Sequence, residues 1–203
     1  EDHPNSEDIT VAIHKRNEVN IILLFSKYPA PFSFEYTVNP GDSLYKIAKK
    51  FNTTVELLRK KNEITDDRIF PGQKLKIVKG DFSVLIDKSQ KTLYLKLNDE
   101  ILKTYSIAVG RDGITPIGKF KIINKLENPV WYSNGRAIQP GDPENLLGVR
   151  WIGIDSPGYG IHGTTEKIEI SLQATSGCVR MTNTDVVELY DLLTVGVPVK
   201  IID

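Results

Sequence analysis

The pattern of apolar residues changes at Gly80, and this change limits the folds that the chain can adopt. Before Gly80, apolar residues recur at the spacing of one buried helical face, in Leu44, Ile47, Ala48 and Phe51. After Gly80, they alternate with polar residues as half-buried strands require, in Phe82, Val84 and Ile86. A chain of 203 residues has room for two such regions as separate domains. We therefore predict a small helical module followed by a mostly β domain.

Residues 35–79 are predicted to form a compact unit of strand, helix, helix and strand. The strand "FEYTV" precedes the turn "NPGDS", whose Asp42 carboxylate can accept the unpaired N–H groups at the start of a helix. A second short helix, "VELLRKKN", is expected to turn Val55 and Leu58 inward. The segment "RIFPGQKLKIV" closes the unit with a proline–glycine turn and an alternating strand.

Residues 1–34 are interpreted as an N-terminal extension and linker, with no assigned function. The β-branched content of "ITVAIHKRNEVNIILLF" favours a strand pair that turns near "KRNE". His3 and His14 are expected on solvated surface. The longest apolar stretch, Val19 to Tyr28, is too short to span a bilayer. The first residue is Glu1 and no signal peptide or lipidation motif is present, so the chain is interpreted either as processed, with an export signal removed, or as truncated.

The fold class predicted for residues 81–203 is mainly β with α, a β-sandwich or half-open barrel with one packed helix. The strands are expected in "FSVLID", in a hairpin that turns at "LNDE", and in "GKFKIIN", "VRWIGID" and "VPVKIID". The helix is expected from Asn183 to Leu193. The long segment from Trp131 to Trp151 is interpreted as a lid, with Trp131 and Tyr132 either as cleft walls or as core residues.

Charge and cysteine content exclude several classes of function. Lys+Arg and Asp+Glu are both 26, so neither nucleic acid nor a membrane surface would be attracted by net charge. The single cysteine rules out an internal disulfide and any multi-cysteine zinc site. No cluster of metal ligands is evident, so we expect no cofactor and no metal, and we expect a monomer.

The lone cysteine, Cys178, is either a buried inert residue or a nucleophile. A thiol attacks a carbonyl as the thiolate, and an unperturbed cysteine is mostly protonated at neutral pH. A neighbouring imidazole can take that proton and later return it to a departing amine. His162 is the only histidine after Gly80, so it is the candidate base, and we expect the thiol to be ionised when substrate arrives.

The residues around this pair suit acyl transfer. Gly177 allows a tight turn that points backbone N–H groups at a developing oxyanion. The Gly163 carbonyl is able to hold the imidazole in one tautomer. Arg180 either offers a forked donor to a substrate carboxylate or braces the loop by bonding backbone carbonyls. Thr115, Pro116 and Gly118 are interpreted as turn residues.

Residues 35–79 resemble the LysM module. The matching residues are Tyr36-Thr37-Val38, Gly41-Asp42-Ser43-Leu44, Ile47-Ala48, Phe51, Leu57, Asn62 and Pro71-Gly72-Gln73-Lys74-Leu75. The resemblance implies binding to N-acetylglucosamine-containing glycans such as peptidoglycan or chitin. It implies a shallow groove between two loops, formed here by Gly41, Asp42, Ser43, Leu44, Ile69, Pro71 and Gly72. These residues could equally serve only as turns and caps.

Residues 81–203 resemble the L,D-transpeptidase catalytic domain of the YkuD family. The resemblance lies in "YGIHGTT", in "TSGCVRM" and in "TPIGKF" at Thr115 to Phe120. It implies a 3→3 cross-linking enzyme of peptidoglycan, in which Cys178 attacks a stem tetrapeptide and holds it as a thioester. His162 and the Gly163 carbonyl complete the catalytic set, and backbone N–H groups near Gly177 and Cys178 form the oxyanion hole.

The same resemblance assigns less certain roles to the flanking residues. Thr175 and Arg180 fill positions of the cysteine motif, and Tyr159 matches a family tyrosine near the active site. Ser176 stands where many members carry histidine, which bears on substrate contact. Together the two resemblances imply an extracytoplasmic protein, at the bacterial cell envelope or secreted, whose partner is peptidoglycan.

Four other functions are alternatives to this one. An NlpC/P60-like cysteine peptidase places its cysteine before its histidine, which is the reverse of the order here. An L,D-carboxypeptidase would use the same residues with water as acceptor, and the sequence does not separate the two. The intact cysteine–histidine pair argues against a non-catalytic cell-wall binding protein. A redox sensor would need a second cysteine.

Overall fold

The structure is a computed structural model that describes residues 6–30, 32–164, 170 and 175–203. Two compact units part at Gly80, with the short segment Glu100–Lys103 grouped with the first of them. The finer division into residues 1–34, 35–79 and 81–203 stays a prediction. Among the described helices, none is both long and apolar enough to cross a membrane.

In the first unit, a two-stranded antiparallel sheet packs with short helices. Its elements are α1 (Ser6–Phe25), β1 (Ser33–Thr37), α2 (Leu44–Lys50), α3 (Val55–Lys61) and β2 (Lys74–Val78). Strand β1 pairs with β2 so that Tyr36 lies opposite Leu75. The core is a cluster of buried side chains from both strands and both short helices: Val38, Leu44, Ile47, Ala48, Leu58, Leu75 and Ile77. The predicted strand–helix–helix–strand order of this module is confirmed.

The strand pair predicted in the N-terminal extension is wrong, because one helix, α1, spans Ser6–Phe25. The β-branched residues favour strands only weakly, and a helix that buries one stripe overrides that preference. Asn17, Ile21 and Leu24 are buried and lie at the i, i+4, i+7 spacing of one helical face. Ile9, Val11, Val19 and Ile22 of the same helix are exposed, so its apolar residues do not mark one face in the sequence.

The cap predicted for α2 is also wrong. Ser43, not Asp42, is the N-cap, and its hydroxyl accepts the Lys46 N–H at 3.2 Å. The Asp42 carboxylate instead holds the preceding turn, since it accepts the Asn39 N–H at 2.8 Å and the Tyr36 hydroxyl at 2.7 Å. These two hydrogen bonds lower the pKa of Asp42.

A fully buried lysine ties α3 to the end of α1. Lys61 Nζ donates to the Leu23 carbonyl at 2.6 Å and to the Tyr28 carbonyl at 2.9 Å. Carbonyls in the last turn of a helix have no partner within the helix, so this ammonium satisfies one of them. Burial lowers the pKa of Lys61 to about 8, and the nearby charge of Lys76 lowers it further.

The second unit is built on one curled eight-stranded sheet with the order β11-β10-β9-β6-β12-β3-β4-β5. Its elements are β3 (Phe82–Asp87), β4 (Thr92–Leu97), β5 (Glu100–Ser106), β6 (Gly118–Glu127), β7 (Trp131–Ser133), β8 (Arg136–Ile138), β9 (Arg150–Ile154), β10 (Gly160–His162), β11 (Val179–Arg180), α4 (Asn183–Leu192) and β12 (Pro198–Ile202). The half-open barrel is confirmed, and the sandwich, which would need two packed sheets, is not what forms.

Helix α4 packs against β9 and β10, the strands next to the edge of the sheet. Its inner face is apolar, with Val186, Leu189 and Leu192 fully buried. Thr182 caps the helix by accepting the Asp185 N–H at 3.1 Å. Because Thr182 follows β11 after one residue, the cap fixes how the chain leaves the edge strand.

The segment interpreted as a lid contains regular structure. Strands β7 and β8 form a hairpin that pairs Trp131 with Ile138. The side-chain amide of Asn145 then donates to the Pro129 carbonyl at 2.9 Å and to the Ile138 carbonyl at 3.2 Å. Tyr132 is 77% exposed and therefore is not a core residue.

Replacing Lys61 with Met should remove a pH dependence of stability. The folded-state pKa of about 8 lies below the ordinary 10.5, so between these values the unfolded chain binds a proton that the folded chain has released. The free energy of unfolding should therefore rise with pH across this range, by at most one proton's worth of slope. Calorimetric unfolding of Lys61→Met and wild type at several pH values measures the difference in slope.

The matched control for this experiment is Lys49→Met, at an exposed lysine of α2. It should keep the wild-type slope, whereas Lys61→Met should have a flatter one. Equal slopes in all three proteins would contradict a depressed pKa at Lys61.

Candidate active site

Parallel pairing of β10 with β11 brings the predicted catalytic residues together. Ile161 lies opposite Val179, and His162 lies opposite Arg180. Cys178 directly precedes β11, so it comes beside Gly160, whose backbone hydrogen bond acts on the thiol. Side chains two residues apart on a strand share a face of the sheet. The pairing thus gathers the thiol, the imidazole and the guanidinium at one edge of the sheet.

The His162 ring is held by its own chain. His162 Nδ1 lies 2.7 Å from the Gly163 carbonyl oxygen, and the side chain is almost fully buried. A carbonyl oxygen can only accept a hydrogen bond, so Nδ1 carries the proton and Nε2 keeps its lone pair. Burial lowers the pKa of His162 to about 4; the Gly163 hydrogen bond opposes this shift, and the Arg180 charge adds to it.

The thiol is shifted in the opposite direction. Burial raises the pKa of Cys178, while the Gly160 hydrogen bond and the Arg180 charge partly offset that rise. The Sγ atom lies 3.4 Å from the Gly158 carbonyl oxygen, which is within reach of a weak S–H hydrogen bond. Both shifts favour the neutral thiol and the neutral imidazole. Both directions run against the ionised thiol that the sequence led us to expect.

Thr115 braces the loop in front of the cysteine, although the sequence indicated only a turn residue. Its hydroxyl accepts the Gly110 N–H at 2.8 Å and donates to the Gly177 carbonyl at 2.7 Å. The backbones of Gly110 and Gly177 approach closely, because a Cβ at Gly110 would lie 2.7 Å from the Gly177 Cα. One hydroxyl thus ties the segment after β5 to the residue before Cys178.

Thr175 makes a second brace across the same turn. Its hydroxyl donates to the Cys178 carbonyl at 2.5 Å and accepts the Gly177 N–H at 3.1 Å. The Gly177 N–H is thus engaged with Thr175, and the predicted oxyanion hole near Gly177 and Cys178 stays a prediction. Thr175 is itself buried, so its predicted contact with substrate is replaced by a positioning role.

Gly177 cannot be another residue in this turn. Its φ is +129°, and a Cβ there would lie 2.8 Å from the Tyr159 ring. Tyr159 is half-buried over this glycine, and Ser176 is exposed beside it. Arg180 is buried, and its backbone exchanges two hydrogen bonds of 2.9 Å with Ala108.

Sequence reasoning missed Asn183 as part of the site and treated it as the start of a helix. Its Oδ1 accepts the Val149 N–H at 3.2 Å and the Thr164 N–H at 3.1 Å. A Cβ on Gly163 would collide with the same oxygen. The glycine after the histidine is thus required by packing as well as by its carbonyl. An asparagine at a helix start carries no signal of this kind in sequence.

Sequence reasoning also missed Trp151. It considered only Trp131, the other tryptophan of the chain, as a cleft wall or core residue. The Trp151 indole stacks on the His162 ring with the centroids 6.0 Å apart and an angle of 19° between the planes. The indole Nε1 donates to Asn124 Oδ1 at 3.0 Å. Trp131 and Tyr132 lie on the β7–β8 hairpin.

The glycan-binding residues predicted in the LysM module divide into two groups. Leu44 is buried in the core, so its predicted contact with glycan is wrong. Gly41 and Gly72 have φ of +83° and +86° and form turns. Phe70, which the sequence did not single out, is 66% exposed in the loop that also carries Ile69 and Pro71. Within the described ranges, no three His, Cys, Asp or Glu side chains lie close enough to hold a metal ion.

The curled sheet defines a class of fold that solved structures share. An L,D-transpeptidase from Mycobacterium smegmatis has a TM-score of 0.51 and 20% identity, over 65% of this chain and 64% of that one. An L,D-transpeptidase from Mycobacterium tuberculosis H37Rv has a TM-score of 0.52 and 14% identity, over 67% of this chain and 75% of that one. At these identities, the likeness establishes the fold alone.

Sequence comparison gives the family. The model of the L,D-transpeptidase catalytic domain (YkuD) matches residues 81–201, and the model of the LysM domain matches residues 36–78. The L,D-transpeptidase-family protein YqjB of Bacillus subtilis is 39% identical over 61% of this chain and 73% of its own length. YkuD of the same organism is 33% identical over 82% and 97%. The chain therefore belongs to the L,D-transpeptidase family and carries a LysM domain, a pairing that marks a protein acting on the cell wall.

Replacing Thr115 with Val should loosen the cysteine loop. The change keeps the shape of the side chain but leaves the buried Gly110 N–H and the Gly177 carbonyl without their partner. Stability should fall by about 2 kcal/mol, and alkylation of Cys178 by iodoacetamide should change in rate. Thr115→Ser keeps the hydroxyl and should stay close to wild type in both measurements. Equal behaviour of the Val and Ser variants would contradict the brace.

Proposed function

We propose that this protein is a peptidoglycan L,D-transpeptidase that works through a thioester on Cys178. The hydrogen bond between His162 Nδ1 and the Gly163 carbonyl supports this proposal most directly. It leaves Nε2 as a free base. His162 lies on β10, and β10 pairs with β11, which begins directly after Cys178. Family membership supports the same activity.

The first step is attack by Cys178 Sγ on the carbonyl carbon of the third residue of a stem tetrapeptide. The S–H bond breaks as the S–C bond forms, and His162 Nε2 takes the proton. The carbonyl oxygen becomes an oxyanion, for which we assign the Cys178 N–H as the donor, because the Gly177 N–H already binds Thr175. The buried Arg180 charge favours the thiolate in this step.

The tetrahedral intermediate then collapses. The peptide C–N bond breaks, the terminal D-alanine leaves as an amine with the proton from His162, and the stem stays on Cys178 as a thioester. The side-chain amine of a second stem attacks the thioester and gives its proton to His162. A 3→3 cross-link forms, and the thiol is restored. With water as the acceptor, the same steps would yield a tripeptide and an L,D-carboxypeptidase.

We further propose that the LysM module binds the glycan strand of peptidoglycan. The loops that carry Gly41 to Ser43 and Ile69 to Gly72 form the surface, and exposed Phe70 offers an apolar face to a sugar ring. The protein then acts outside the cytoplasm, at the cell envelope or secreted, and as a monomer.

Incubation with purified disaccharide-tetrapeptides, followed by mass analysis, tests the chemistry. A cross-linked dimer is expected, a tripeptide would assign the carboxypeptidase, and no change would contradict both.

Cys178→Ala and His162→Ala should each lower turnover by about 10³-fold or more while the far-UV circular dichroism stays unchanged. Carbapenem should acylate wild-type Cys178, seen as a mass adduct on the intact protein, and should give no adduct on Cys178→Ala.

Replacing Phe70 with Ala tests the glycan site separately. Binding to sedimented sacculi should weaken about tenfold, because an exposed aromatic face is lost. Turnover of soluble tetrapeptide should not change, since that substrate needs only the catalytic unit. Wild-type binding by Phe70→Ala would remove this loop from the proposed glycan site.

A further inference from the structure

We infer that Trp151, held in place by Asn124, is a positioning residue for His162 that stabilises its protonated form during acyl transfer. This inference rests on the proposed roles of Cys178 and His162 and assigns a new role to two residues outside that pair. Its basis is the arrangement of side chains on one face of β6, β9 and β10.

The three strands bring these side chains into one row. Trp151 of β9 lies opposite His162 of β10, and Gly153 of β9 lies opposite Gly160 of β10. Asn124 of β6 lies opposite Gly153, directly after a shift in the register of β6. The two glycines therefore sit between the amide at one end of the row and the imidazole at the other.

Both glycines are needed for the indole to lie flat. A Cβ on Gly160 would lie 2.7 Å from Trp151 Cζ2 and 2.8 Å from Trp151 Cη2. A Cβ on Gly153 would lie 2.8 Å from Trp151 Nε1 and would also collide with Asn124 Oδ1. Strands β9 and β10 thus carry glycines where the indole crosses them, and these close contacts confine the ring to one plane.

The indole is fixed at both of its ends. Nε1 donates to Asn124 Oδ1 at 3.0 Å, and the ring stacks on His162 at 6.0 Å with 19° between the planes. Gly163 fixes the Nδ1 edge of the same imidazole. One hydrogen bond and one stacked ring together define the plane of His162 and hence the direction in which Nε2 points.

The stack also acts on charge. The face of an indole is negative and attracts a cation that lies within about 6 Å of the ring. When the proton leaves Cys178 Sγ and binds Nε2, the imidazole becomes a cation in a site that burial makes hostile to it. The face of Trp151 attracts that cation, and it attracts the neutral His162 ring much less.

Few other charges act on His162. On the elements packed against β10, the titratable or charged groups are Arg180 and Cys178 at β11, Arg150 on β9, and Asp185, Glu188, Tyr190 and Asp191 on α4. Arg180 is the one whose charge shifts the pKa of His162, and it disfavours the cation. Asp185 binds the Thr182 hydroxyl at 2.7 Å, and Glu188 accepts the Tyr105 hydroxyl at 2.7 Å.

The test measures the rate of Cys178 alkylation by iodoacetamide against pH in the full-length protein. Loss of the indole in Trp151→Leu should destabilise the imidazolium, so ionisation of the thiol should need a higher pH. The midpoint should rise by about one pH unit, and the rate at pH 7 should fall about tenfold. Trp151→Phe keeps a ring and should shift less, and Asn124→Ala should shift by about half a unit.

The chain offers a matched control on the same sheet. Tyr94 of β4 donates its hydroxyl to the Gln90 side-chain oxygen at 2.7 Å, which is also an aromatic donor bound by an amide. Four strands separate β4 from β10 in the sheet. Gln90→Ala and Tyr94→Leu should therefore keep the wild-type midpoint.

A purely structural role or a substrate-binding role would give different results. If the Trp151 and Asn124 variants lose rate or thermal stability with an unchanged midpoint, or raise KM for tetrapeptide with an unchanged midpoint, the inference is overturned. If Trp151→Leu does not fold, the exposed Asn124→Ala and the conservative Trp151→Phe decide the question. His162→Ala separates the two levels: an unchanged profile in that variant would refute the proposed catalytic pair itself.

Discussion

The hydrogen bond between His162 Nδ1 and the Gly163 carbonyl oxygen determines what the other groups of the active site are able to do. It places the ring proton on Nδ1 and leaves the opposite nitrogen as a base. The bond needs a glycine, because Asn183 Oδ1 fills the space of a Cβ while it holds the N–H groups of Val149 and Thr164. The start of α4 and the end of β10 therefore meet at one side-chain amide.

Burial of the His162 ring and of the Cys178 thiol also disfavours a charge on either group. It lowers the pKa of His162 and raises that of Cys178, and both directions favour the uncharged groups. In the acyl transfer that we propose, three groups favour charge once it is formed: the Gly163 carbonyl, the Arg180 guanidinium near the thiol and, by our inference, the face of Trp151.

Sequence patterns predicted a helical module followed by a mostly β region, and they singled out His162 and Cys178 as candidates, because both depend on local signals. Periodicity of apolar residues marked α2, α3 and α4, and the spacing of His162 and Cys178 with their glycines matched a family motif. Contacts distant in sequence were not predictable in this way. Thr115 read as a turn residue, and its bond to Gly177 depends on how the sheet curls. No sequence pattern singled out Lys61, because its burial depends on contacts with the distant helix α1. The helix α1 itself was missed because its β-branched residues favour strands and its apolar residues do not follow a helical period.

The turn in front of the nucleophile limits how the site can change. Gly177 combines a positive φ with the Tyr159 ring above it, so no side chain can be added there without breaking the turn. Ser176, one residue earlier, is exposed. Resistance to a thiol-directed inhibitor cannot arise by adding bulk at Gly177. If Cys178 is the nucleophile that we propose, the exposed Ser176 is a position beside it where the turn itself allows a larger side chain.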